Sequence, residues 1–261
     1  MEIQEDRWLS DIFGYGVFKI DPSTDDRAPS LLNGLVSRHV RQRSEAMYYA
    51  KVDAGNVNAV RRLGEEGFYV VDVQVTFGRE AKDPALISAN PVEVTIEEFR
   101  PEHRGAILEI ASSCFRFSRF HLDPGIPEAI ANQIKRDWVS SYIQKQRGEC
   151  LFVAVCDQQP VGFLAVLSSK TEGRRIRTID LIGVAKDFQN RGIGRALVAF
   201  FINRYRDQSD FLQVGTQIAN IPSIRLYQKA GFSLTKAQYV MHLHVQHGAI
   251  VGSQCKSASL T

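Results

Sequence analysis

Two groups of residues in this 261-residue chain have types and spacings that could do chemistry. The first is Gln189, Asn190, Arg191, Gly192, Ile193, Gly194 and Arg195. It follows the apolar run Thr178–Val184, which contains Ile182 and Gly183. A strand that turns through glycines into a helix gathers backbone N–H groups and the positive end of a helix dipole at one point. That suits an anion such as a pyrophosphate. The second group is Asn220 and Tyr227, inside Asn220-Ile-Pro-Ser-Ile-Arg-Leu-Tyr227-Gln-Lys-Ala-Gly231-Phe232. On a helix this spacing puts the two on one face, about 10.5 Å apart along the axis. Asn220 is a good N-cap, Pro222 falls in the first turn where its missing N–H costs little, and Gly231 ends the helix. Tyr227 is either a phenol beside a reacting group or a half-buried packing residue.

The elements that must carry these residues follow from periodicity and punctuation. Residues 12–20 read as a turn entering a short strand, 29–45 as a helix, 48–52 as a strand, 56–66 as a helix and 68–77 as a strand. Residues 78–91 are charged and proline-bearing and read as a boundary. A strand at 92–96 follows, then helices from Pro101 and at 127–146. Strands come at 151–156, 161–167 and 176–184, and a helix spans 191–206. A strand at 211–215, a helix at 221–230 and a strand at 238–245 complete the pattern. The fold class is therefore α/β (α+β). The divisions are residues 1–85, a linker at 86–91, a larger domain at 92–245 and a disordered tail at 246–261.

Composition narrows the function classes. Hydrophobic residues are 44% and charged residues 23%, as in ordinary soluble domains. A net charge of +3 gives no reason to expect a nucleic-acid partner. No apolar run reaches the roughly 18–20 residues that span a bilayer, so no membrane partner is expected. The N-terminal residues are mixed and acidic, with no signal peptide visible. The 4 cysteines form no C-x-x-C pair and read as free thiols of a cytoplasmic protein. In His242-x-His244-x-x-His247, strand alternation explains two of the three histidines. No carboxylate or cysteine accompanies them, so no metal is expected. Lys170, Arg174, Arg175 and Arg177 read as a solvated hairpin.

Two nucleotide loops fit the glycine stretch poorly. A dinucleotide fingerprint needs Gly or Ala where Leu197 stands, and a Walker loop needs Lys-Ser/Thr after its last glycine. The string Val184-x-x-x-x-Gln189-x-x-Gly192-x-Gly194, on strand–loop–helix, instead resembles the acetyl-CoA loop of the GNAT superfamily of N-acetyltransferases. Asn220 to Phe232 is similar to that superfamily's N-x-x-A-x-x-x-Y-x-x-x-G-F string, with Ser223 in place of the small Ala. The element order from residue 92 fits the same fold, a central mixed β-sheet.

There is an internal echo. Asn56-Val57-Asn-Ala-Val60-Arg61-Arg-Leu63-Gly-Glu-Glu-Gly67-Phe68 aligns without gaps on 220–232 at an offset of 164 residues, with Leu63 where Tyr227 stands. It points to a truncated, silent GNAT-like half at residues 1–85. The alternative is shared helix-capping grammar. The chain up to about residue 245 is similar to the dTDP-fucosamine (dTDP-4-amino-4,6-dideoxy-galactose) acetyltransferases, which place a truncated GNAT-like domain before the complete one. The matching positions are Phe13-Gly14, Gly67-Phe68, Ser118-Arg119-Phe120, Trp138 and Thr216-Gln217-x-x-Asn220 with Tyr227. The chain departs at Phe120-His-Leu-Asp-Pro-Gly and in its C-terminal tail.

The resemblance implies an N-acetyltransferase. Acetyl-CoA is the cosubstrate and the acceptor is a primary amine, first of all that of a nucleotide-linked amino sugar. A peptide N-terminus or other small amine is the second choice, and a non-catalytic acyl-CoA-binding module is the competing class. A homodimer is compatible. It implies the CoA-binding loop at Gln189–Arg195, with the pyrophosphate on the N–H groups of Arg191 to Ala196, and the pantetheine arm along Ile182, Gly183 and Val184. An amide near Val184 would polarise the thioester, Asn220 would contact CoA, and Tyr227 would be the catalytic donor to the departing sulfur. No side-chain base is identifiable. Arg119, Phe120, His121 and Asp123, with Arg116, Phe115 and Phe117, are the candidate acceptor contacts. The bland alternative is a packed arginine–aromatic helix end.

Overall fold

Capping residues and apolar alternation decide where elements begin and end in the computed structural model, which describes residues 2–22, 35–84 and 93–251. In chain order these are β1 (Glu2–Glu5), α1 (Arg7–Phe13), β2 (Gly16–Asp21), α2 (Leu35–Val40), β3 (Ala46–Asp53), α3 (Val57–Glu65) and β4 (Tyr69–Glu80). Then come β5 (Thr95–Glu98), α4 (Arg104–Ser113), α5 (Arg119–Leu122), α6 (Glu128–Ile143), β6 (Cys150–Cys156), β7 (Gln159–Thr171) and β8 (Arg174–Val184). The last are α7 (Ile193–Tyr205), β9 (Phe211–Gln217), α8 (Ile221–Lys229), β10 (Ser233–Gln246) and β11 (Ala249–Val251). Among the described residues no helix is long and apolar enough to cross a membrane.

By contact density the chain falls into two units. The first comprises 1–74, 119–130 and 237–261; the second comprises 75–118 and 131–236. Strands β4 and β10 each run from one unit into the other.

The strands of the first unit lie in the order β1-β2-β3-β10-β4, with β11 paired to β10. β3 is parallel to β2 and antiparallel to β10, from Gln238↔Asp53 to Val245↔Ala46. Its core is Phe18, Ile20, Tyr48, Ala50, Val52, Leu63, Phe68, Met241, Leu243 and Val245. Each large apolar side chain among these is worth about 1.5–3 kcal/mol in removal from water. The strands of the second unit lie in the order β4-β9-β8-β7-β6-β5. From β5 to β8 the neighbours are antiparallel, and β8 is parallel to β9. Helices α4 and α6 pack Ile107, Leu108, Ile110, Ala111, Val139 and Tyr142 against Leu151, Val153, Phe163, Ala165 and Leu181 of the sheet.

The differences from the sequence reading have local causes. Residues 1–13 read as mixed, yet Glu2–Glu5 pair with β2 and Arg7–Phe13 are helical. The Asp6 side chain accepts from Leu9 N, Gly14 closes the helix at φ +75°, and Leu9 alone in it is fully buried, too little for periodicity to register. Pro101 opens one turn of 3-10 helix before α4. The boundary placed at 78–91 begins late, because β4 continues to Glu80; the expected linker at 86–91 lies outside the described residues. The expected tail begins late too. Gln246 ends β10 and Ala249–Val251 pair back onto it, while 252–261 lie outside the described residues. Of the helix expected at 29–45, residues 35–40 are helical and 29–34 lie outside the described residues.

Candidate active site

The glycine loop sits where two parallel strands part. The β8–β9 ladder runs from Ile176↔Phe211 to Ile179↔Val214 and stops there. β8 continues to Val184 and β9 to Gln217. Residues 181–184 keep β7 on their other side, from Gly162↔Val184 to Ala165↔Leu181, and Asp180 falls at the register shift. The stretch beside β9 therefore has backbone groups with no strand partner, a template for an extended amide chain. Ile182 and Val184 are half-buried there and Gly183 is buried. A Cβ on Gly183 would fall 2.6 Å from Phe163 Cε1 and 2.7 Å from Cys114 Sγ, so only glycine fits.

The loop then re-aims the chain. Gln189 Nε2 donates to the Val184 carbonyl at 3.1 Å and closes the turn. Asn190 (φ +62°) and Gly192 (φ +86°) are left-handed with Arg191 between them, which curls successive N–H groups into a concavity. Arg191 stacks on Phe188 at 4.9 Å. Gly192 is the N-cap of α7 and offers no side chain to it. The N–H groups of Ile193, Gly194 and Arg195 thus lie in a first turn with no capping side chain, where an anion is favoured. Ile193, Leu197, Phe201 and Tyr205 anchor α7 in the core.

The second group is brought against the first. A Cβ on Gly194 would lie 3.7 Å from Leu226 Cδ2, so the start of α7 touches α8 one residue from Tyr227. Asn220 caps α8, its side chain accepting from Ser223 N at 3.3 Å. Tyr227 is 2% exposed, between Phe77 (6.2 Å) and Phe232 (6.3 Å). Burial pushes its phenol up to about 12, with the Ser223 hydroxyl one turn back pulling the other way.

Of the acceptor candidates, Arg119 to Asp123 lie in the first unit, where their side chains are engaged, and Phe115, Arg116 and Phe117 lie in the second. Phe120 and Asp123 are each 2% exposed. Arg119 stacks on Tyr49 (4.0 Å) and Phe120 (4.4 Å), while His121 is half-buried. Asp123 is a hydrogen-bond hub. Its Oδ2 faces His242 Nδ1 at 2.5 Å and His244 Nε2 at 2.8 Å; its Oδ1 accepts from Tyr69 OH at 2.7 Å and Gly125 N at 2.8 Å. Burial opposes the carboxylate, but the bonds from both histidines outweigh it and hold Asp123 well below the usual range. Burial lowers His242 to about 4, which keeps the ring neutral.

A carboxylate does accompany His242 and His244, contrary to the sequence reading, and the three side chains converge within 4.8 Å. Zinc bonds of about 2.0–2.2 Å hold tetrahedral ligand atoms roughly 3.3 Å apart. The two Asp123–histidine separations, 2.5 and 2.8 Å, are shorter and are those of direct hydrogen bonds. His247 is exposed, in a turn. The basic hairpin is ion-paired: Arg174 with Glu80, Arg175 with Asp210 and Arg177 with Glu149.

Sequence reasoning missed a cluster beside the unpaired part of β8. Asp180 Oδ2 accepts from Trp138 Nε1 (2.8 Å), Tyr142 OH (2.7 Å) and Arg147 Nε (2.8 Å), and Oδ1 accepts from Arg147 Nη2 (3.2 Å). The available signals were one carboxylate inside the apolar run 178–184 and two aromatics four residues apart on α6.

Residues 105–232 match the model of the acetyltransferase (GNAT) family. The chain is 27% identical over 207 residues to the spore coat polysaccharide biosynthesis protein SpsD of Bacillus subtilis (strain 168), covering 78% of this chain and 69% of that protein. Its fold is similar to a GCN5-related N-acetyltransferase from Sphaerobacter thermophilus (TM-score 0.62, 17% identity, 95% of this chain and 77% of that one). It is also similar to a tandem GNAT protein from the clavulanic acid biosynthesis pathway (TM-score 0.57, 11% identity, 88% and 75%).

Proposed function

Because residues 105–232 match the acetyltransferase (GNAT) family, we propose that this chain moves the acetyl group of acetyl-CoA to the amino group of a nucleotide-linked amino sugar. The observation that carries the donor half is the parting of β8 from β9 directly before an uncapped helix N-terminus. The acceptor half is supported by the similarity to a polysaccharide-biosynthesis protein.

The pyrophosphate lies on the N–H groups of Arg191 to Arg195, Ala196 N being taken by the Gly192 carbonyl. The amide-bearing arm runs along Ile182–Val184, and an amide near Val184 donates to the thioester carbonyl as negative charge grows there. The neutral amine attacks and forms the C–N bond, a water or a backbone carbonyl takes the extra proton from its nitrogen, and the tetrahedral adduct collapses with cleavage of the C–S bond, so that the sulfur leaves as thiolate beside Tyr227. With its phenol at about 12, Tyr227 stays protonated and donates a hydrogen bond to the emerging thiolate.

The N-terminal part, residues 1–85, is in this reading a GNAT-like half without the donor loop. Its support is the repeated β–α–β detail. Asn56 accepts from Ala59 N at 3.0 Å as Asn220 accepts from Ser223 N at 3.3 Å. Phe68 N reaches Leu63 O, and Phe232 N reaches Tyr227 O, each at 3.0 Å. Where Tyr227 offers a hydroxyl, Leu63 offers none.

The test is thiol release from acetyl-CoA with a panel of amines: nucleotide-linked amino sugars, free amino sugars, peptides and aminoglycosides. Fastest turnover on a nucleotide-linked amino sugar is expected. Acetylation of peptides alone would remove the sugar reading.

A further inference from the structure

The cluster that holds Asp180 has one member built to do more than close the fold. Asp180 is the first residue of β8 beyond its last pair with β9, and its side chain is 10% exposed. Trp138, Tyr142 and Arg147 together saturate one of its oxygens. Arg147 presents its Nε and Nη2 to the carboxylate, and its side chain remains 39% exposed. Its guanidinium lies 4.9 Å over the Trp138 ring. Lys135 Nζ lies 4.7 Å over the same ring and 4.8 Å over Phe115. Arg147 and Lys135 thus share the Trp138 ring, beside the strand segment where transfer is placed.

A guanidinium carries five N–H donors in a rigid fork. Asp180 takes Nε and Nη2, the Tyr142 oxygen also hydrogen-bonds the guanidinium, and among the described hydrogen bonds none is assigned to Arg147 Nη1. A fork already fixed by a carboxylate and a ring has lost its rotamer freedom before a ligand arrives. The second edge is then ready for a bidentate oxyanion.

We infer that Arg147 is the specificity residue that binds the diphosphate of the nucleotide-linked acceptor, with Asp180 and Trp138 as its positioning residues. This rests on the proposed sugar-nucleotide reading and assigns that reading its anion contact. Arg147 touches substrate at a distance from the reacting atoms, so its loss weakens acceptor binding and leaves the chemical step alone.

The test compares the wild type with Arg147→Gln and Arg147→Lys. The acceptors are dTDP-linked 4-amino-4,6-dideoxygalactose and the same amino sugar without the nucleotide. Arg147→Gln should raise KM for the linked sugar roughly 10- to 100-fold, with kcat and the KM for acetyl-CoA within about twofold. The free sugar should be turned over as by the wild type. Arg147→Lys, which keeps the charge and loses the fork, should fall between. Inhibition by dTDP should weaken in parallel. Equal losses on linked and free sugars would mark Arg147 as structural and overturn the inference, as would an unchanged KM for the linked sugar. Both outcomes leave the sugar-acetyltransferase reading standing. A wild type that acetylates peptides and neither sugar would bring down that reading and this inference with it.

Discussion

Replacing Tyr227 by phenylalanine removes one oxygen and keeps the ring between Phe77 and Phe232. The magnitude follows from the burial of the phenol. A group that titrates at about 12 giving its proton to a thiolate of pKa about 8.5 goes uphill by roughly 5 kcal/mol. Full transfer is therefore not the useful step. A hydrogen bond that strengthens as thiolate charge grows is worth about 1.5–3 kcal/mol, so Tyr227→Phe should lower kcat roughly 10- to 150-fold. The KM for acetyl-CoA should stay within about twofold, because the bond is made in the transition state. Stopped thiol-release assays at saturating amine give both constants. Thermal melting should move by no more than a few degrees. The pH profile is the sharper check: with the phenol protonated through pH 10, no alkaline limb below that pH belongs to Tyr227. A kcat within twofold of wild type would refute the donor role. An alkaline limb near pH 8–9 that disappears in the phenylalanine variant would refute the burial reasoning.

Other outcomes follow from the same structure. Burial pushes the Asp72 carboxyl up to about 6, with the Val73 N–H and the Lys51 charge opposing. The folded chain thus keeps a proton that the unfolded chain releases near 3.8, so stability falls between those pH values and an ionised Asp72 costs about 3 kcal/mol above them. Asp72→Asn should raise the melting temperature at pH 7, with the gain vanishing below about pH 4. Asn56→Ala and Asn220→Ala should each cost about 1 kcal/mol in denaturant titrations. Only Asn220→Ala should lower turnover, and a matching loss in Asn56→Ala would contradict a silent first half. Gly192→Ala places a side chain at φ +86°, a strain of about 1 kcal/mol, and should raise the KM for acetyl-CoA about fivefold.

How much of this was legible beforehand depended on whether the signal was local. The loop at 189–194 and the α8 cap were readable, because left-handed turns and N-caps are set by the residues that occupy them. Helix α3 was readable for the same reason. The Asp123 hub was not: its partners are 119 and 121 residues away along the chain, and His242 and His244 read as mere strand alternation until Asp123 arrived beside them. Arg119 to Asp123 were readable as polar and aromatic, but composition cannot tell a binding surface from a packed one. Asp180 was a visible anomaly in an apolar strand whose three donors lie 33 to 42 residues upstream. The halves of the echo and the strands they feed, at 68–77 and 238–245, were visible as sequence; the partners those strands pair with were not.

Strand β10 sets a timetable for the first unit. Tyr49 of β3 pairs with His242, a partner synthesised 193 residues later. At about 5–20 residues per second, the ribosome leaves β3 without that neighbour for about 10–40 s. During that interval Tyr48, Ala50 and Val52, buried in the finished core, have no Leu243 or Val245 to cover them. The nascent chain therefore carries a sticky, unzipped flank through most of its own translation. Its yield in a cell should respond to chaperone supply and elongation rate before it responds to the stability of the finished fold.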